Sequence, residues 1–179
     1  MAAMLADFES MKDFINFDDN DVANLVALGP VFAKHGPAIT DAFYDNLRRF
    51  GDTARLIEGR VDALKATHHR WMSELFQGAY GDAYFENRIR VGKAHVRVGL
   101  DPRYVEGVMT FLRTEGHRAI HEEVADVARA GALYDSLVKI LDLDLADINL
   151  AYAEERLDRL TSFTGMSRKL LENCIRRGT

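Results

Sequence analysis

The chain has 179 residues, enough for one domain with a core of useful size, and its 47% hydrophobic and 28% charged content is that of an ordinary soluble globule. A net charge of −5 does not favour nucleic acid or an anionic membrane as partner, and a single cysteine, Cys174, excludes an intramolecular disulfide and any CxxC metal or redox site. No apolar run approaches the ~18 residues of a membrane span, and the acid-bearing N-terminus has no signal-peptide core, so the chain reads as cytoplasmic.

Three prolines and no alternating Val/Ile/Thr runs point to an all-α fold. Residues 1–16 form a short amphipathic helix carrying Met4, Leu5, Phe8, Met11, Phe14 and Ile15, which packs on the body or on a partner. Asp18, Asp19, Asn20 and Asp21 then offer N-caps where negative charge is favoured. Val22, Leu25, Val26, Leu28 and Val31 follow at helical spacing, and Pro30 is expected to kink or end that helix. Gly36-Pro37 is expected to start the next one, with proline in its preferred first turn. Its stripe is Ile39, Phe43, Leu47 and Phe50. Tyr44 sits beside the stripe, where a tyrosine ordinarily keeps its hydroxyl at the surface.

After a connection over 51–58, Val61, Leu64, His68, Trp71 and Leu75 share one helical face. His69 lies roughly 100° away and faces solvent. A histidine on an apolar face is ordinarily a satisfied core residue. Gly78, Tyr80, Gly81 and Asp82 break the pattern, with Asp82 a candidate N-cap for a helix that contains His95. Gly92 and Gly99 flank His95, and each glycine in a helix costs roughly 1 kcal/mol relative to alanine. A crowded core histidine is the plain reading; a flat cofactor lying against the helix is the other. Asp101-Pro102 opens a helix with Val105, Val108, Phe111, Leu112, Ala119 and Ile120 inward. A turn at Ala130-Gly131 is expected before a last helix from near Leu133. Beyond it, Leu150, Ala153, Leu157, Leu160, Thr164, Ser167 and Leu171 keep a weak coiled-coil register, while Gly165 favours a frayed tail.

The run Arg88, Val91, Gly92, His95, Arg97, Val98, Gly99, Leu100, Pro102 and Tyr104 resembles the proximal-helix signature of the globin-coupled sensors, bacterial haem-based gas sensors. The similarity extends upstream through Phe43-Tyr44, Leu75-Phe76, Gly78, Tyr80 and Tyr84, and covers roughly 17–160. It implies a globin-like helical sandwich with an extra N-terminal helix and a long C-terminal signalling helix. Residues 1–160 would be the sensor domain, and 161–179 the start of a linker to an output domain. The family binds haem b, so His95 would be the proximal iron ligand and Tyr44 would point into the distal pocket.

A haem site needs an axial ligand, apolar walls and a distal side tuned for the gas. Phe43, Val61, Leu64, Trp71, Val91, Val98, Tyr104 and Val108 are wall candidates, although the stripes alone do not separate walls from core. Two distal arrangements are open. In one, Tyr44 donates a hydrogen bond to bound O2, CO or NO with Thr67 assisting; in the other, His68 is a second iron ligand that gas displaces. The resemblance also implies a homodimer through the last two long helices and no catalysis in this domain. Two other classes compete: a metal-binding bundle using His117 and His121 with Glu122, and a plain dimerisation module.

Overall fold

A computed structural model describes the backbone of residues 2–177 and the side chains of 4–177. Eight helices and no strand occur among the described residues: α1 (Ala2–Phe14), α2 (Asp19–Arg48), α3 (Gly51–Ile57), α4 (Val61–Glu74), α5 (Asp82–Val98), α6 (Pro102–Glu123), α7 (Val127–Thr164) and α8 (Arg168–Arg177). No described helix is long and apolar enough to cross a membrane.

The caps explain most boundaries. Asp18 accepts from the amides of Asn20 and Asp21, and the Asp21 carboxylate returns a bond to the Asp18 amide, closing a capping box on α2. Asp101 accepts from the Arg103 amide with Pro102 in the first turn of α6. Asp126 caps α7 through the Arg129 amide.

Four expectations are corrected here. Neither Pro30 nor Pro37 ends a helix: α2 runs unbroken through both, with the two prolines on its exposed face. Burial of Leu25, Leu28, Phe32, Ile39, Phe43 and Tyr44 along its other face outweighs the missing amide bonds. Gly36 is not a helix start but a packing position, where a Cβ would stand 3.0 Å from the Met72 sulfur of α4. Asp82 is the first helical residue of α5, and the cap is Gly81. The break before the last helix falls at 124–126, so Ala130 and Gly131 lie inside α7.

The register read from Leu150 to Leu171 is not one continuous helix. Gly165 takes the left-handed conformation, φ 70°, and ends α7. The chain then turns back, so that the Arg168 guanidinium meets Glu154 and Asp158 of α7.

The core is a stack of helices on α7, which packs against α5, α6 and α2, while α4 packs on α2. At the closest approach, a Cβ on Gly92 of α5 would stand 2.5 Å from the Ala151 Cβ of α7. Glycine is what lets these two backbones meet. α1 lies on the body: Phe8 is buried with its ring 5.2 Å from that of Phe85, whereas Phe14 is exposed.

Candidate functional site

α4 and α5 share no broad packing interface. They are joined at one end, where Glu74 accepts from Asn87 and pairs with Arg88 at 2.6 Å. With their packing limited in this way, α4 and α5 bound a wedge, with His68 on one helix and His95 on the other.

Both imidazoles carry an unpartnered nitrogen. His68 is largely buried; its Nδ1 is 2.9 Å from the Thr40 hydroxyl, and its Nε2 is buried with no hydrogen-bond partner. The Nδ1 of His95 is likewise buried and unpartnered. Burial pushes His68 down to about 4, helped by the neighbouring His69, and burial alone does the same to His95. Both rings are therefore neutral at physiological pH, the state in which a ring nitrogen can ligate a metal.

The wall over His68 is a second, smaller apolar cluster apart from the main core. Phe43, Tyr44 and Ile57 are its buried members, and Leu47, Val61, Leu64, Val108 and Phe111 pack against them. The His68 ring lies 5.1 Å from Phe43, 6.1 Å from Tyr44 and 5.3 Å from Trp71. Tyr44 is 6% exposed, contrary to the surface position its place beside the stripe suggests, and burial pushes its hydroxyl up to about 12. It is a proton donor, not a phenolate, at any physiological pH.

The remaining expected residues divide. Val91 and Val108 are half-buried against the main core, and Val108 touches both clusters. Val98 is 43% exposed. Tyr104 lies in an open cleft with Asp52, Arg55 and Arg103, its ring under the Arg103 guanidinium at 4.9 Å. Trp71 is both wall and link, because its indole N–H donates to Asp144 of α7 at 2.9 Å. Thr67 is exposed, and its hydroxyl donates to the Ala63 carbonyl one turn back, whereas Thr40 on α2 is the threonine whose hydroxyl meets His68.

Sequence reasoning also missed the charges behind the wedge. Arg88 is fully buried, its Nε 2.8 Å from Asp144, with its guanidinium stacked 4.0 Å over Tyr84. Asp144 additionally accepts from the Tyr84 hydroxyl at 2.5 Å and from Trp71. Asp147, one turn on, is buried with Oδ2 unpartnered; burial and then the Asp144 charge push it up to about 8. Around His95, the Leu100 amide donates to the His95 carbonyl, and the Leu100 carbonyl accepts from the Tyr152 hydroxyl of α7 at 2.8 Å. α7 thus touches the surroundings of both imidazoles, through Asp144 and through Tyr152.

His117 and His121 lie with ring centroids 4.3 Å apart on the exposed face of α6, but no group of three or more His, Cys, Asp or Glu is placed to hold a metal ion among the described residues.

Comparison with known proteins decides the family. A family profile described as Protoglobin matches residues 4–168. The chain belongs to the protoglobin family. This protoglobin-family domain is 33% identical over 130 residues to the heme-based aerotactic transducer HemAT of Halobacterium salinarum, a stretch covering 70% of this chain and 27% of that protein. The chain therefore spans about a quarter of that curated relative. The globin domain of a Geobacter sulfurreducens globin-coupled sensor superposes with a TM-score of 0.77 at 31% identity, covering 80% of this chain and 96% of that one. The ferric globin domain of E. coli DosC shares the fold at 16% identity and a TM-score of 0.67, covering 82% and 98%. The fold is that of a sensor globin domain, with an added N-terminal helix and a long α7.

Proposed function

We propose that this domain holds haem b in the wedge between α4 and α5 and senses a diatomic gas. The observation that carries the reading is the pair of buried, neutral imidazoles on two helices that do not pack together, each with a nitrogen the protein leaves unpaired. A relative described as a heme-based transducer supports it. When bound, haem supplies an iron that takes a gas as axial ligand.

His95 is the proximal ligand, held on α5 by the Gly92 contact with α7. His68 is the displaceable distal ligand: its Nε2 is buried and free, and its ring is braced by Phe43, Trp71 and the Thr40 bond. Tyr44, kept protonated by burial, would be a hydrogen-bond donor to a gas held there with His68 off the iron. Phe43, Val61, Leu64, Val91 and Val108 keep water out. Val98 and Tyr104 stand at the rim, and Thr67 takes no part.

The ligation state reaches α7 by two routes. Displacement of His68 disturbs Trp71 and so its bond to Asp144, and a shift of His95 pulls on Leu100 and Tyr152. α6 and α7 pair with a second copy in a dimer, and each gas state prefers one packing of that pair. Residues 161–179 lead to an output region outside this chain; α8, folded back on α7, is the segment that such a change would release or hold.

Replacing the proximal ligand tests the reading. His95→Gly loses the haem that the wild type retains through gel filtration, and millimolar imidazole added to the variant restores a Soret band. A His95→Gly protein that keeps haem with the wild-type spectrum and ignores imidazole rejects His95 as ligand.

A further inference from the structure

Thr40 is wholly buried on α2, and its hydroxyl is turned away from its own helix. Thr67, Thr110, Thr114 and Thr164 all bond the carbonyl four residues back, as helical threonines do. Thr40 instead meets the Nδ1 of His68 across the helix interface at 2.9 Å. We propose that Thr40 is the positioning residue that sets the tautomer of His68, and that it serves His68 in two roles. The inference rests on the reading that His68 faces the haem iron.

A neutral imidazole with Nε2 on a metal must carry its proton on Nδ1, and that proton needs an acceptor. The Thr40 oxygen accepts it. With His68 off the iron, Nε2 would be a buried nitrogen without a partner in the protein, free to act as a donor beside Tyr44. The Nδ1 proton would then pass to water and a proton from water would be taken up at Nε2, so the net charge of the ring and of the solvent does not change. The Thr40 hydroxyl now donates to the bare Nδ1. A hydroxyl is both donor and acceptor and rotates between the two without moving its oxygen. No carbonyl or carboxylate in this place could serve both tautomers.

The test uses the reduced protein, which is diamagnetic both as the six-coordinate low-spin form and as the carbon monoxide complex, so imidazole 15N–1H spectra are readable in each. Wild type is expected to show His68 protonated on Nδ1 without gas and on Nε2 with carbon monoxide. Thr40→Val leaves a buried Nδ1–H without an acceptor; the ratio of low-spin to high-spin iron without gas is expected to fall about tenfold. The Nε2–H signal with carbon monoxide is expected to give way to a tautomer mixture. Thr40→Ser, which keeps the hydroxyl, is expected to restore both features, and it carries the test if Thr40→Val does not fold.

Thr40→Val with wild-type spin ratio and wild-type His68 shifts overturns the proposal, as does Thr40→Ser behaving like a hydroxyl-free variant. Failure of the underlying reading looks different: His68→Ala would then leave the wild-type spin state unchanged, or no haem would be bound. In either case the His68 tautomer in the protein as isolated still reports whether Thr40 sets it.

Discussion

Gly92→Ala and Gly107→Ala should move stability in opposite directions, although both place alanine in a helix. A Cβ at position 92 stands 2.5 Å from the Ala151 Cβ and 3.1 Å and 3.2 Å from the Ile148 carbonyl oxygen and Cα. These are backbone and near-backbone atoms that cannot rotate away. Carbon atoms rest at about 3.5–4.0 Å, so α5 must back off α7 by roughly 1 Å. Overpacking of this kind costs about 1–3 kcal/mol, against a gain of about 1 kcal/mol from alanine's helix propensity. The expected net is a loss of up to about 2 kcal/mol, or up to roughly 8 °C in Tm for a domain of this size. At Gly107 on α6 nothing lies within 4 Å, so only the propensity gain of about 1 kcal/mol remains. Urea denaturation of the two variants beside wild type reads both signs. Gly92→Ala as stable as Gly107→Ala would refute the close approach of α5 to α7, and with it the account of how His95 is placed.

Three further outcomes follow from the charges and bonds behind the wedge. Asp147, pushed up from 3.8 to about 8, binds more protons folded than unfolded across that window, so stability falls as pH rises through it. At about 1.4 kcal/mol per unit, Asp147→Asn should remove a few kcal/mol of that fall, seen as a flatter plot of urea midpoint against pH between 5 and 8; a slope equal to wild type rejects the buried, protonated carboxyl. Asp144→Ala leaves Arg88 buried with only Glu74 and should cost roughly 3–5 kcal/mol, while Arg88→Met combined with Asp144→Leu should recover most of it, both by urea denaturation. Tyr152→Phe should cost about 1 kcal/mol and speed amide exchange at Leu100 and its neighbours, with little change elsewhere.

The helical class and the ligand-bearing faces were legible because they are periodic. His68 falls in step with Val61, Leu64, Trp71 and Leu75, and His95 lies beside Gly92 on the face α5 turns to its partners. What escaped depends on pairing between distant segments. The apolar stripe of α7 runs through Leu137, Ile140 and Leu141 and resumes at Ile148 and Ala151. The intervening turn is buried but carries Asp144 and Asp147, and that gap was the available signal of a buried charge network. Arg88, set among Phe85, Ile89 and Gly92, was its counterpart on α5. Thr40 gave no signal, because a threonine one residue after Ile39 reads as an ordinary helical position until α4 is laid across it. The prolines misled for a related reason: local rules predict breaks at Pro30 and Pro37, but burial along the other face of α2 decides the outcome.

The central claim is that two imidazoles, one on α4 and one on α5, face the same iron. The absorption spectrum of the reduced protein with and without carbon monoxide, on wild type and His68→Ala, tests it most directly. The account predicts a six-coordinate low-spin spectrum in wild type, a five-coordinate one in His68→Ala, and carbon monoxide complexes in both. A five-coordinate spectrum in both proteins would contradict His68 as ligand and leave the distal task to Tyr44, and the absence of any Soret band in haem-supplied protein would contradict the site as a whole.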